Sequence, residues 1–308
     1  MERYQEEYNT EKYSVLVQNA IKHYDNFELS VSINIPRGNI VGLIGENGAG
    51  KSTLLKLILG LIKREKGKII VLGSENINLN RNLLEDVGVI LDENVIPENL
   101  NINQINNVMK SIYKKWDTKK YFDLIKRFKL FLDKKIKKFS KGMKMKLSLI
   151  VSIAHNPRLL ILDEPTTGLD PVAREQILDM FLEFVQDSKN SILFSSHIMA
   201  DLEKVADYII FIKNGQVLID GKKDLLIYEW GVIKCDEINL CKIPKNSVIA
   251  VRKNDCYYDV LINNKEKARG KYEKLIIDDA FLEEIMLICI NNDEEATQIG
   301  RASCRERV

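Results

Sequence analysis

Three residue types stand at phosphate-binding spacing in Gly45-Glu46-Asn47-Gly48-Ala49-Gly50-Lys51-Ser52, which fits G-x-x-x-x-G-K-[ST]. The glycines allow the backbone to wrap closely, so that N–H groups and the positive end of a following helix point at the β- and γ-phosphates of a nucleotide. Lys51 adds a point charge, and Ser52 offers a hydroxyl to Mg²⁺. Gly45, Asn47, Gly48, Gly50, Lys51, Ser52 and Thr53 are the candidate nucleotide contacts of this stretch. A second chemical cluster lies more than a hundred residues on, where the apolar run Leu159–Leu162 ends in Asp163-Glu164. Burying unpaired charge is costly, so packing does not explain two carboxylates at the end of a buried strand. Asp163 is placed to hold Mg²⁺ through water, and Glu164 to polarise a water attacking the γ-phosphate. The strand Ser191–Ser196 ends on His197, a candidate to contact the γ-phosphate and steady both that water and Glu164. His155, in Ala154-His155-Asn156-Pro157, sits at a helix end and reads as structural.

Strands and helices must carry these groups. Ile40–Ile44 reads as a buried strand into the phosphate loop, and residues 52–59 as the helix after it. Upstream, 14–22 and 27–35 read as two strands, the second alternating Leu29, Val31, Ile33 and Ile35 with polar residues. Tyr24 lies in the turn between them, where it either packs or offers a flat aromatic face to a base. A short strand at 69–72 and another from Val87 to Glu93 follow. Apolar residues at helical spacing then run to about Leu132: one stripe is Ile105, Val108, Met109, Ile112 and Tyr113, and another spans Tyr121 to Leu130. These are expected to pack as a core. Ser140 is the expected N-cap of the next helix, and Asp170-Pro171 the cap and first position of another. Asn214-Gly215 suits a type I′ hairpin turn between 208–212 and 216–219.

Composition bounds the answer. The chain has 308 residues, enough for one large domain and a smaller one, and 46 Lys or Arg against 44 Asp or Glu give no global argument for nucleic acid. Between Lys110 and Lys146, however, fifteen Lys or Arg face three Asp. That stretch is either a helical region with solvated faces or a surface turned to anionic headgroups or an acidic partner. Five cysteines without a C-x-x-C pair suggest neither zinc nor a disulfide framework. No apolar run reaches spanning length and residues 1–12 are charged, so the expectation is a cytosolic chain whose membrane role needs a separate partner. Gln298–Val308 matches a reading frame of a common short-read sequencing adapter, so the tail, Cys304 included, is expected to carry no biology.

The ordered set of phosphate loop, Ser140-centred segment, Asp163-Glu164 and His197 resembles the ATP-binding subunit of ABC transporters over roughly residues 13–224. Ser140-Lys141-Gly142-Met143-Lys144 is similar to the signature of bacterial drug and peptide exporters with ABC-2-type permeases, the bacitracin and phenol-soluble-modulin systems included. The resemblance implies an α/β P-loop NTPase of ABC type. It would carry an antiparallel β-subdomain, an inserted helical subdomain at about 93–150 and a small α+β extension at 225–297. It further implies an ATP hydrolase using ATP and Mg²⁺, with Tyr24 stacking on adenine. A second ATP-binding subunit, identical or not, would complete the site: Ser140 and Gly142 would contact the γ-phosphate held by its loop, and Asp170 would line the seam. The other implied partner is an integral ABC-2-type permease holding the chain on the inner face of the membrane, with no nucleic acid expected. Lys141 and Met143 depart from the usual Gly and Gln, and Asp92 stands where most members place a Gln that reaches Mg²⁺. A soluble ABC-type ATPase and a regulatory subunit without turnover remain as alternatives. The extension either regulates or stabilises a dimer, or simply packs.

Overall fold

A computed structural model describes residues 11–75, 77, 80–91, 96–272 and 275–293. Asp92 and the tail from Gln298 lie outside the described residues. The chain divides into two compact units, one ending at Asp220 and the other beginning at Gly221.

In the first unit, β1 (Tyr13–Tyr24) and β2 (Phe27–Pro36) form an antiparallel hairpin, the alternation in β2 burying Leu29, Val31, Ile33 and Ile35. Then come β3 (Ile40–Ile44), α1 (Lys51–Ile58), β4 (Lys66–Val71), α2 (Arg81–Leu84) and β5 (Val87–Ile90). Three helices follow: α3 (Ile102–Ile112), α4 (Thr118–Arg127) and α5 (Lys141–Ala154). The chain closes with β6 (Leu159–Leu162), α6 (Pro171–Phe184), β7 (Ser191–Ser195), α7 (Met199–Val205), β8 (Tyr208–Lys213) and β9 (Gln216–Lys222). One nine-stranded sheet results, in the order β4-β1-β2-β9-β8-β3-β7-β6-β5.

Two regimes share that sheet. β4-β1-β2 is antiparallel. β8, β3, β7, β6 and β5 are parallel, and β3, β6 and β7 are buried at every position, which explains why they read as continuous apolar runs rather than alternations. Leu43 pairs with Ser195 and Leu162 with Phe194, so the carboxyl ends of β3, β7 and β6 lie level. In open α/β sheets ligands bind in the crevice at such ends. Asn214 and Gly215 turn β8 into β9 with φ of 48° and 75°, the paired positive values of a type I′ turn.

Side chains set the starts of α3–α5. Asn101 and Gln104 form a reciprocal capping box on α3, Asp117 caps α4, and Ser140 caps α5. Tyr121 is fully buried, its hydroxyl donating to the Ile102 carbonyl at 3.1 Å. The expected core stripe on α3 is only half realised. Ile105 is buried, but Val108 and Ile112 are exposed, because α3 packs one narrow face and turns the flank of its apolar arc outward.

The second unit is α+β. It contains α8 (Lys223–Glu229), β10 (Gly231–Cys235), α9 (Glu237–Leu240), β11 (Val248–Lys253), β12 (Tyr258–Ile262), α10 (Lys265–Arg269), β13 (Ile277–Asp279) and α11 (Leu282–Ile290). Its sheet has the order β11-β12-β10-β13, with Ile233, Val251, Val260 and Ile262 in the core. Within it Asp259 is fully buried and accepts from Arg252 Nε and Nη2 at 2.9 and 2.6 Å and from Asn254 at 2.9 Å. Among the described residues there is no disulfide, and no helix is long and apolar enough to cross a membrane.

Candidate nucleotide-binding and hydrolysis site

The loop after β3 is shaped by positive backbone angles. Gly48 and Gly50 hold φ of 83° and 109°, a region that costs L-residues steric strain. At Gly50 a side chain would also strike Leu29 and Phe27 at 2.8 and 2.9 Å, whereas at Gly48 it would meet nothing within 4 Å. The space before the loop is open. Gly50 is the N-cap of α1 and gives no side-chain cap, and the first helical bond is Leu54 N–H to Gly50 C=O at 2.9 Å. The N–H groups of Lys51, Ser52 and Thr53 therefore face forward from the helix end, the arrangement that attracts anions. This differs from α3, α4, α5 and α6, whose ends are closed by Asn101, Asp117, Ser140 and Asp170.

Lys51 is buried, and its ammonium donates to the carbonyls of Gly45 at 2.7 Å and Glu46 at 3.3 Å. It also lies 3.6 Å from Glu164 Oε1. Glu164 is the junction of the site. Its Oε2 meets His197 Nδ1 at 2.7 Å and accepts from the Thr167 hydroxyl at 2.7 Å. Its backbone holds φ of 49°, a conformation that a non-glycine residue keeps only when its surroundings enforce it. Ser195 is part of that enforcement. Fully buried at the end of β7, its hydroxyl accepts from Glu164 N–H at 2.9 Å and donates to Asp163 Oδ1 at 2.5 Å.

Lys51, Asp163, Glu164 and His197 are thus brought together from three adjacent strand ends. Ser140, Gly142 and Asp170 assemble instead at the N-termini of α5 and α6. Ser140 Oγ accepts from Met143 N–H at 3.3 Å, and Asp170 Oδ1 accepts from Ala173 N–H at 2.9 Å. A Cβ on Gly142 would stand 3.0 Å from Ala173 Cβ and 3.6 Å from Asp170 Oδ2, so the two helix starts approach as closely as glycine permits. Tyr24 is half-exposed at the hairpin tip, 6.5 Å from the Phe27 ring that packs toward Gly50, with the Lys22 ammonium 5.6 Å over its face. His155 is buried and stacked on Tyr113 at 4.2 Å, and burial pushes its pKa down, in keeping with a structural residue. Sequence reasoning missed Ser195 and Thr167. The available signal was a hydroxyl at the end of an apolar strand, level in register with the carboxylates.

Comparison with known proteins decides the family. The ABC transporter family pattern matches residues 29–167. The lantibiotic transport ATP-binding protein SrtF of Streptococcus pyogenes is 35% identical over 212 residues, covering 68% of this chain and 90% of that protein. The chain belongs to the ABC transporter ATP-binding proteins. YtrB of Bacillus subtilis, an ABC transporter ATP-binding protein, is 30% identical over 79% of this chain and 83% of its own length. The bacitracin transport ATP-binding protein BcrA of Bacillus licheniformis is 32% identical over 61% of this chain and 62% of its own. Among solved structures, an ATP-binding subunit of an ABC transporter superposes with a TM-score of 0.60 at 29% identity, over 68% of this chain and 90% of that one. The fold is that of a P-loop ATPase cassette, and the chain is the ATPase subunit of a transporter.

Proposed function

We propose that this ATPase subunit powers export of an antimicrobial or amphipathic peptide through a separate ABC-2-type permease, from the inner face of the cell membrane. The relatives named for lantibiotic and bacitracin transport support the cargo class, as does the Ser140–Lys144 signature. The observation that carries the chemistry is Glu164, held at a strained φ of 49° between His197, Thr167 and Lys51. In this reading the forward-facing N–H groups of Lys51, Ser52 and Thr53, the open backbone of Gly45, Asn47, Gly48 and Gly50, and the Lys51 ammonium bind the phosphates. Tyr24 stacks on the adenine. Ser52 and Asp163 fit Mg²⁺, since a hydroxyl and a carboxylate steadied by Ser195 make a hard oxygen pair; Asp92, the third candidate, falls outside the described residues. Mg²⁺ bound there would neutralise charge on the phosphates. Glu164 polarises the attacking water, and His197 holds the Glu164 carboxylate in place from one side while Thr167 holds it from the other.

The N-terminal groups of α5 and α6 fit the other half of a composite site, with Ser140, Gly142 and Asp170 meeting nucleotide on a second ATP-binding subunit. A helix N-terminus suits a γ-phosphate. On this reading residues 13–224 form the ATP-binding domain, with the helical subdomain at about 93–150, and 225–297 an accessory domain. The test is Glu164→Gln: it should keep ATP binding, abolish turnover and trap a closed dimer measurable by light scattering. Undiminished turnover would refute the role of Glu164. Co-expression with an ABC-2-type permease from the same genome should raise resistance to a lantibiotic or to bacitracin; an unchanged minimum inhibitory concentration for both would refute the cargo class.

A further inference from the structure

The path from α4 to α5 carries an unusual surface. Lys126, Arg127, Lys129, Lys134, Lys135, Lys137 and Lys138 crowd a stretch in which Asp133 is the acidic residue. Inside that ring Phe131 and Leu132 are 57% and 44% exposed. The segment is pinned, since Leu130, Ile136 and Phe139 are buried on either side, Ile136 N–H bonds the Leu100 carbonyl at 3.0 Å and Lys137 N–H the Glu98 carbonyl at 2.9 Å. Between those anchors Phe131-Leu132-Asp133-Lys134-Lys135 all face solvent. Lys129 stands at the left-handed position that ends α4, with φ of 53° where glycine is favoured. Three charges of the wider basic stretch are paired, Arg127 with Glu183, Lys115 with Asp86 and Lys144 with Glu98. Among the described residues Lys129, Lys135, Lys137 and Lys138 form no ion pair, and Lys134 lies 5.1 Å over the Phe131 ring.

From this placement we infer that residues 126–138 form a docking surface for anionic lipid headgroups, with Phe131 and Leu132 entering the interface beneath them. Polybasic clusters flanking exposed apolar side chains bind in this way, charge attracting the protein to the bilayer and apolar area holding it. The cation type favours lipid over nucleic acid or an acidic protein. The unpaired charges are lysines, compact point charges without the planar fork that reads phosphate or carboxylate geometry, and a smeared headgroup layer demands no such fork. Leu132 offers nothing to a nucleotide base, whereas an acyl interface accepts it as readily as Phe131. The inference rests on the reading that the chain works beside a membrane, yet it concerns direct lipid contact, which needs no permease.

The test is co-sedimentation of the full chain with vesicles of phosphatidylcholine alone or with about one-third phosphatidylglycerol. Binding should favour the anionic vesicles and fall sharply between about 0.05 M and 0.3 M salt. Each lysine contributes about fivefold, so replacing Lys134, Lys135, Lys137 and Lys138 by Gln should weaken binding about 600-fold. Phe131→Ser with Leu132→Ser should weaken it about tenfold while leaving the salt dependence intact. A Phe131→Trp variant gives a second readout: its emission should shift blue on anionic vesicles and be quenched by brominated acyl chains. Affinity for a labelled ATP analogue, unchanged in all variants, controls for folding. Equal binding to neutral and anionic vesicles, or a lysine variant that binds like the parent, would overturn the inference. So would binding that needs the permease in the vesicle, which would assign the surface to a protein contact and leave the transport reading standing.

Discussion

Replacing Ser195 by Ala probes how Glu164, the proposed hydrolytic carboxylate, is held. Ser195 is fully buried, and one hydroxyl serves two neighbours, accepting from Glu164 N–H and donating to Asp163. Its removal strands a part-buried amide and takes a charge-assisted bond from Asp163, a loss of about 2 kcal/mol of stability. The larger effect falls on chemistry. The Glu164 backbone occupies the left-handed region, which costs about 1–2 kcal/mol for an L-residue, so once the Ser195 bond is gone the peptide can relax and carry the carboxylate away from His197. A misplacement of about 1 Å at a reacting group costs on the order of a hundredfold in rate. The expected result in a steady-state ATPase assay is kcat lowered by about 10- to 100-fold with KM for ATP changed less than about threefold, the pattern of a lost transition-state contact. Ser191→Ala is the matched control. It lies at the opposite end of the same strand, equally buried, bonded to Ser14 Oγ at 2.7 Å and to Gly38 N–H at 3.1 Å. It should lose comparable stability in urea melts and keep kcat. Equal kcat losses in both variants would reduce Ser195 to a packing residue and refute the reasoning.

Three other outcomes follow from the geometry. Lys51→Ala should lose binding of a labelled ATP analogue, because Lys51 is the one Lys or Arg of the Gly45–Ser52 loop; retention of affinity within about tenfold would contradict the phosphate role. Gly142→Ala would place a methyl 3.0 Å from Ala173, forcing α5 and α6 apart; ATP affinity of the isolated subunit should hold while turnover falls about tenfold or more. At the hairpin tip, His23 Nδ1 meets Glu65 at 2.6 Å and its Nε2 meets Glu28 at 3.1 Å, with Lys22 also on Glu65. The bond to Glu65 raises His23 above its ordinary 6.5, and the bond to His23 lowers Glu65 to about 2. The His23 contribution is therefore complete below pH 6.5 and lost as pH climbs through the raised value; the Glu65 contribution is present above 4.5 and lost as pH falls toward 2. With Tyr24 next door stacking on adenine as proposed, ATP-analogue affinity should weaken on the alkaline side, and His23→Ala should flatten that dependence; an identical profile in the variant would refute the link.

How far the sequence revealed this protein depended on whether a residue's role is local. The phosphate loop, the caps at Ser140 and Asp170 and the Asn214-Gly215 turn depend on neighbours within a few positions, and each lies where its local chemistry places it. The apolar runs at β3, β6 and β7 were legible as strands because a doubly covered parallel sheet tolerates no polar face. Ser195 escaped notice because its importance comes from strand register: only the pairing that levels β6 with β7 sets its hydroxyl against Asp163 and Glu164. Val108 and Ile112 were misread for a related reason. Helical periodicity tells which residues share a face, but the width of the face that is covered is set by the neighbouring helix. Strand β10 was invisible because Gly231-Val-Ile-Lys-Cys has too little alternation to stand out, and its paired residues on β12 and β13 lie 23 to 48 positions away.

The two signature departures acquire a physical account from the same geometry. A signature glycine and glutamine are replaced by Lys141 and Met143, yet the helix start proposed to meet the γ-phosphate would do so through backbone, and backbone is indifferent to those side chains. Ser140 still caps α5 through Met143 N–H, and Gly142 still allows α5 to close on Ala173. What Lys141 adds is a charge laid over the next turn of the site: its ammonium lies 2.8 Å from where a Cβ on Gly168 would stand, and Gly168 itself holds φ of 71°. Thr167, immediately before Gly168, donates to Glu164. Lys141 therefore lies against the turn that carries Thr167, a placement that would couple the start of α5 to Glu164 within one subunit. Whatever moves α5, a second subunit or a permease, would be felt at Glu164 through the Lys141 stem and the Gly168 turn. Lys141→Gly would restore the usual residue while cutting that link, so it should leave basal ATP turnover within about twofold and diminish its stimulation by the permease. Full stimulation in that variant would show that α5 and Glu164 communicate by another route.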